Sequence, residues 1–343
     1  MNYIRKNSGE NVFRKITSMR EMIMVIVIAG LFIIMSFGNQ YFLTSQTMLN
    51  VLMSFTVEGV IAIGMVILLV SGGLDLSVGA NMGFTGIVTG LLVVGGVPMV
   101  LAIVIGLSVG LGVGLANGFL IAKIGLNPLI TTLGTGMTFT GLMMMLTKGK
   151  SIIIPKSFSV IGTGSLFGIQ YPVYILIALV IIFEILLRKT RLFRASYYVG
   201  GNESAARLNG INVPFIKLFN YGLTGLLAGL TGIVLSARLT TASVSVGGNT
   251  ALEVITACII GGASLSGGEG SVLGAFLGVA FIQLLSTSLD LSGVDVYTKT
   301  FVTGLILIAA ITIDVFNEKR KAKKIVTSAQ KCLDDEDGAQ ENV

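Results

Sequence analysis

Five carboxylates stand in or beside apolar stretches of this sequence: Glu58, Asp75, Glu184, Glu253 and Glu269. A carboxylate surrounded by hydrocarbon needs a partner, an aqueous cavity or a proton, so each is a candidate for proton relay or for a structural anchor. Glu58 and Glu253 read as near the ends of apolar spans, facing the interface. Glu184 precedes Arg188 by four residues, the spacing of an intrahelical pair. Asp75 sits in a glycine-rich break beside Ser77, where a cap or an anchor for irregular backbone is the first reading and substrate contact the second. The chain has no histidine, which excludes histidine metal sites and Ser-His or Cys-His catalysis. Cys258 lies in an apolar stretch and Cys332 in the C-terminal tail, so no disulfide is expected. Gly149-Lys150-Ser151 resembles the end of a phosphate-binding loop, but Met144 stands where its first glycine is required. The residues therefore predict no enzyme, no metal and no cofactor, and ATP-driven work would need a separate subunit.

The other chemistry is neutral. Asn127-Pro128-Leu129-Ile130-Thr131-Thr132-Leu133-Gly134-Thr135 places hydroxyls on an apolar helix, and Asn81, Thr85, Asn117 and Thr138 stand in similar surroundings. A route for an uncharged polar solute needs such donors and acceptors rather than fixed charge. Asp75, Ser77, Asn81, Asn117, Thr131 and Thr135 are the candidate lining of a translocation path. Hydrogen bonds between helices are the competing account of each.

The elements that would position these residues are membrane helices. Hydrophobic residues make up 53% of the 343 and charged residues 12%, about half the charge fraction of a soluble domain. Apolar segments recur at 22–37, 49–70, 76–94, 98–122, 128–146, 172–187, 214–236, 251–263, 272–286 and 301–316, about ten spans of the usual length. The eighth and ninth are short, which predicts a re-entrant or broken helix there. The first follows basic residues as a signal peptide would, but no A-x-A-like site follows, so it reads as an uncleaved span. With both termini cytoplasmic, 18 of the 23 Lys and Arg fall inside and only Lys148, Lys150, Lys156, Arg238 and Lys299 outside. This divides the chain into a cytoplasmic N-terminal segment (1–21), a transmembrane domain (22–316) and a cytoplasmic tail (317–343), basic then acidic and without apolar period. No nucleic-acid partner is implied, because the basic residues cluster beside spans.

Gly106, Gly110, Gly114 and Gly118 repeat at four-residue spacing, and Gly225/Gly229 and Gly274/Gly278 echo them. Such seams let helix backbones approach closely. Two connections, 72–79 and 261–268, resemble each other. The external segment 147–171 carries three lysines and is either an ordinary loop or a landing place for an external partner.

The longest polar stretch between spans, 188–214, is crowded by Arg188, Lys189, Arg191, Arg194, Arg207 and Lys217. Within it Glu203–Leu208 reads as a short helix ended by Gly210, and Pro214 opens the next span. It either docks a cytoplasmic partner or simply fixes topology.

Together, Glu58–Gly64, Ser71–Gly79, Asn127–Gly134, Val199–Ile211 and Gly261–Ser271 resemble the permease subunit of bacterial ABC importers for simple sugars, the ribose/xylose/galactose-type branched family. The resemblance implies an all-α polytopic membrane protein of about ten helices, type II ABC importer-like with internal repeat, in a bacterial inner membrane. It implies a pair of cytoplasmic ABC ATPase subunits, an extracytoplasmic sugar-binding protein and a second permease subunit, identical or not, within the lipid bilayer. Glu203-Ser204-Ala205-Ala206 looks like a shortened coupling helix of that family, with Ser204 in place of the usual alanine. Gly200, Gly201, Asn202, Glu203, Ala205, Ala206, Arg207 and Gly210 are the residues it assigns to ATPase coupling. An ion-coupled secondary sugar carrier is the alternative, and a passive channel a third reading.

Overall fold

The computed structural model describes residues 6–316 and 319. The acidic tail, Cys332 and all but one of the basic tail residues lie outside the described residues.

The helices are α1 (Lys6–Gly38), α2 (Ser45–Val70), α3 (Val78–Val94), α4 (Met99–Ile124), α5 (Pro128–Thr147), α6 (Lys156–Thr163), α7 (Tyr171–Lys189), α8 (Arg191–Gly201), α9 (Glu203–Leu208), α10 (Val213–Leu239), α11 (Thr250–Ile260), α12 (Val272–Leu291) and α13 (Val296–Phe316). Eight are long and apolar enough to cross a membrane, and α3 and α11 are shorter apolar helices. These ten coincide with the ten segments read from sequence. The protein is thus a mostly helical, multi-pass membrane protein. Its only strands among the described residues are two-residue pieces: β1 (Ile152–Ile153) pairs with β4 (Thr241–Ala242), and β2 (Ser165–Leu166) with β3 (Ile169–Gln170).

Two expectations are corrected, and one helix is longer than its apolar stretch. The ninth span is not short: α12 runs 20 residues. The hydroxyls that mask its end are absorbed by its own backbone, as where Ser288 donates to the Leu284 carbonyl at 2.7 Å. The segment before Met22 is continuous with the first span, since α1 starts at Lys6. The central polar stretch carries two helices rather than one. Thr190 caps α8, its hydroxyl accepting from the Phe193 amide at 3.5 Å, and Phe193, Ser196 and Val199 form a buried stripe.

α2 and α10 form the centre. Most of α2 is buried, and it packs among α7, α10, α11 and α12. The glycine seam of α4 meets α10 directly. A methyl group at Gly110 would stand 2.9 Å from the Gly229 Cα, and one at Gly225 would stand 2.7 Å from the Gly114 Cα. Gly110 and Gly114 of α4 and Gly225 and Gly229 of α10 are therefore one contact seen from both sides, while Gly274 and Gly278 pack on α11.

The loops sort into two ends. At one, β1 pairs with β4 and Asn39 donates to the Leu291 carbonyl at 2.9 Å. At the other, the turns after α2 and α11 meet the segment between α7 and α10. Every one of these contacts joins loops that strict alternation of the ten spans puts on the same side. Two turns on one side cannot be counterparts in an inverted repeat, so the likeness of 72–79 and 261–268 is not evidence for one.

The eighth span is discontinuous. From β4 the chain enters the bundle as irregular backbone, and Gly247 abuts Gly79 of α3 so closely that neither tolerates a side chain. Only then does α11 begin. Irregular backbone at such depth is tolerated where protein surrounds it.

Candidate functional site

At the basic end, α8 and α9 form a platform built from their own sequence. Asn202 caps α9, its side-chain oxygen accepting from the Ala205 amide at 2.9 Å. Glu203 in the first turn and Arg207 in the last are joined at 2.7 Å, each on the favourable end of the helix dipole. Glu203 also accepts from Lys217 of α10 at 2.6 Å. These two cations hold its carboxyl below the usual carboxylate range, the Lys217 hydrogen bond first. Gly210 turns the chain with φ 77°, and the amides of Gly210 and Ile211 donate back to Arg207 and Ala206 at 3.0 Å each. Ala206 and Val199 pack on Val213 and Ile216, so one face of the platform is sealed.

The opposite face is open. Ser204, Ala205, Arg207 and Leu208 are exposed, and Leu208 is 89% so, as is Tyr198 of α8 at 62%. Of the eight residues expected to serve coupling, Gly201, Asn202, Ala205, Arg207 and Gly210 are exposed. Glu203 holds the platform to α10, and Ala206 is buried beneath it. Leu208, missed in the sequence, is the most prominent apolar group on this surface; its place at the end of the short helix was the available signal.

Gly200 ties the platform to the bundle. A Cβ there would overlap the Val70 carbonyl and stand 2.8 Å from the Gly268 amide nitrogen, which itself donates to Val70 at 2.8 Å. Tyr197 donates to the Gly270 carbonyl at 2.7 Å. The ends of α2 and α8 and the turn after α11 thus converge on one backbone junction.

The six expected path residues divide. Asp75, Ser77, Asn81 and Asn117 are fully buried. The Ser77 amide and hydroxyl donate to Asp75 at 2.8 and 2.6 Å, and Asn117 donates to the Ser77 hydroxyl at 2.8 Å. Asn81 donates to the Gly110 and Gly225 carbonyls at 3.1 and 3.2 Å, across the glycine seam. Tyr221 adds a bond to the Leu74 carbonyl at 3.0 Å. This network fastens the turn after α2 to α4 and α10. Thr131 and Thr135 lie apart on α5, their hydroxyls bonded to carbonyls one turn back, and α5 leaves a broad apolar face uncovered.

Glu184 pairs with Arg188 as the spacing predicts, and also accepts from the Leu273 amide at 3.0 Å. Glu58 departs from expectation. It is at mid-length of α2 and 8% exposed, whereas Glu253 stands in the first turn of α11, near a helix end as expected. Among the described residues, no group of three or more His, Cys, Asp or Glu is placed to hold a metal ion.

Residues 47–311 match the family described as branched-chain amino acid transport system / permease component. The chain is 40% identical over 291 residues to the ribose import permease protein RbsC of Bacillus subtilis (strain 168), covering 83% of this chain and 90% of that one. It is 36% identical over 304 residues to the L-arabinose transport system permease protein AraH of Escherichia coli (strain K12), covering 88% and 92%. Against the ribose import permease protein RbsC of Escherichia coli (strain K12) it is 32% identical over 312 residues, 90% and 97% of the two chains. No solved structure matches it.

Proposed function

The chain belongs to the branched-chain amino acid transport system permease family, and from that premise we propose that it is the membrane-spanning subunit of an ATP-binding cassette importer that carries a simple sugar across a bacterial inner membrane. The relatives named for ribose and arabinose cover nearly its whole length, which favours a pentose or similar sugar over a charged solute. The observation that carries the coupling role is the junction at Gly200. A force applied to the exposed side of α9 reaches the end of α2 and the turn after α11 through backbone contact, with no flexible side chain between.

In this reading the basic end is cytoplasmic, both termini lie there, and the domain boundaries are those expected from sequence. A pair of ATPase subunits docks on Ser204, Ala205, Arg207 and Leu208. A sugar-binding protein delivers cargo at the opposite end, and a second permease subunit completes the path. Asp75, Ser77, Asn81 and Asn117 keep the turn after α2 rigid, so that motion of the platform is transmitted rather than absorbed. That leaves Thr131 and Thr135 of α5 as the path candidates not spent on fastening helices. Nucleotide hydrolysis belongs to the partner, and coupling is the free energy that the two states of the permease exchange with it.

Reconstitution tests this. The chain alone in liposomes accumulates no sugar. Addition of the ATPase, the binding protein and ATP establishes accumulation without an ion gradient. Accumulation by the chain alone under a proton or sodium gradient overturns the reading in favour of a secondary carrier.

A further inference from the structure

The three helices nearest the broken span bring three polar side chains together. Cys258 of α11 donates to the Ala62 carbonyl of α2 with Sγ at 3.7 Å, and the two helices run the same way, so Glu58 faces the first turn of α11 one turn earlier. α11 and α12 run antiparallel, with Gly278 against Ala257 and Gly274 against Gly261. Extending that register sets Gln283 beside Glu253. The Glu58 carboxyl accordingly meets the Glu253 carboxyl and the Gln283 side chain. Glu58 is 8% exposed and Gln283 9%, and Glu58 Oε2 is buried with no hydrogen-bond partner.

Charge does not balance within this group. The charges that act on Glu58 are those of Glu253 and, from further away, Lys299. Lys299 is bound to Asp290 at 2.9 Å, and among the described residues no lysine or arginine forms a salt bridge with Glu58 or Glu253. Two carboxylates in contact, with Glu58 buried and Glu253 only partly exposed, resist being ionised together without a counter-charge. We propose that Glu58 and Glu253 hold a single positive charge between them, a proton or a monovalent cation, and that this shared charge fastens the half-helix α11 to α2. The unpartnered Oε2 is the acceptor left for it, and the Gln283 amide completes the group from α12. The inference rests on packing and does not depend on what the protein transports.

The test uses the full chain purified in detergent. Thermal unfolding is followed from about pH 6 to about pH 9, a range that spans documented titration of buried carboxyls, in sodium chloride and in choline chloride. Carboxyl protonation is followed by the infrared carbonyl stretch. If the charge is a proton, the wild type loses thermal stability as pH rises in either salt, and a protonated-carboxyl band disappears in both Glu58→Gln and Glu253→Gln. If it is a cation, sodium restores the wild-type unfolding temperature at high pH and neither variant responds to sodium. In both cases the Gln variants, which carry a permanent donor in place of the shared charge, lose their dependence on pH and salt. Wild type and both variants responding identically to pH and to sodium overturns the proposal. Glu253→Gln, at the less buried of the two positions, keeps the test decisive if Glu58→Gln fails to fold.

Discussion

Gly200 and Val70 touch backbone to backbone: no side chain larger than hydrogen fits at Gly200 without displacing the Val70 carbonyl. That carbonyl also accepts the Gly268 amide, so the contact joins the end of α2, the end of α8 and the turn after α11. A junction of three backbones is stiff because it has no rotamers through which to yield. Gly200→Ala therefore costs about 1–3 kcal/mol of overpacking and separates the platform from the bundle. The expected result is a chain that inserts normally but transports little, with ATPase activity no longer tied to sugar. Wild-type uptake by Gly200→Ala argues against the junction as the transmitting contact.

Glu203 joins α9 to itself through Arg207 and to α10 through Lys217. Glu203→Arg places three cations together and should abolish uptake while membrane insertion stays intact. Glu203→Gln keeps hydrogen-bonding capacity and should retain part of the uptake. Gly210→Pro should be as severe as the arginine change. Its φ of 77° is out of reach for proline, and the amide that donates to Arg207 is lost. Full uptake by either severe variant, measured with the ATPase present, counts against docking at this helix.

The same ion pairs set a pH dependence. The Glu203 carboxyl is held below its ordinary range by Lys217 and then Arg207. A group depressed in the folded state contributes stability that is complete above its unfolded value and lost as pH falls through the lowered one. Platform order should therefore be flat through neutral pH and fail only in acid, below the usual carboxylate range. Hydrogen exchange at the α9 amides across a pH series reads this directly. Glu203→Gln should remove the acid limb.

The glycine seam makes a sharper claim because it carries its own control. A methyl at Gly114 overlaps the Tyr221 carbonyl and stands 3.0 Å from the Gly225 Cα, whereas one at Gly112, on the same helix, meets nothing within 4 Å. Gly114→Ala should lower the unfolding temperature, by overpacking of about 1–3 kcal/mol. Gly112→Ala should leave it unchanged or raise it, since alanine is favoured over glycine in a helix by about 1 kcal/mol. Equal effects from the two variants would dissociate the seam from stability.

Much of this architecture was legible in the chain because lipid imposes one rule. Runs of apolar residues must be helices, so ten spans and their alternation follow from hydropathy and charge. Glu203–Leu208 and Gly210 announced α9 because a short helix and the turn that ends it are local chemistry, whereas the Asn202 cap emerged only from the structure. α8 was hidden because its apolar stripe is interleaved with Arg191 and Arg194, and charge dominates a reading by composition. The meeting of Glu58 with Glu253 was hidden for a different reason. They are 195 positions apart, and the register of α2, α11 and α12 that brings them together is set by glycine and alanine contacts no single segment reveals. The four buried polar residues around Asp75 were found as a set, but hydroxyls and amides that line a path and those that lock helices have the same sequence signature.

Leu208 offers the last test, because burial alone cannot explain it. It is 89% exposed at the tip of the platform, beside Arg207 and clear of the sealed face formed by Ala206 and Val199. A lone exposed apolar side chain needs no partner of its own, but at the tip of the candidate docking helix Leu208 is placed to anchor one. Its flanking residues Arg207, Asn209 and Gly210 are polar or small and exposed, which suits a rim around an anchor rather than a lipid-facing stripe. Leu208→Asp should leave the fold unchanged, since nothing packs on that side. It should weaken association with the ATPase by about fivefold or more, as expected when an interface anchor worth more than about 1 kcal/mol is lost. Co-purification at graded detergent and salt reads the association, and unfolding temperature reads the fold. Unchanged association removes Leu208 from the docking surface and moves that surface to α8, where Tyr198 is the next exposed candidate.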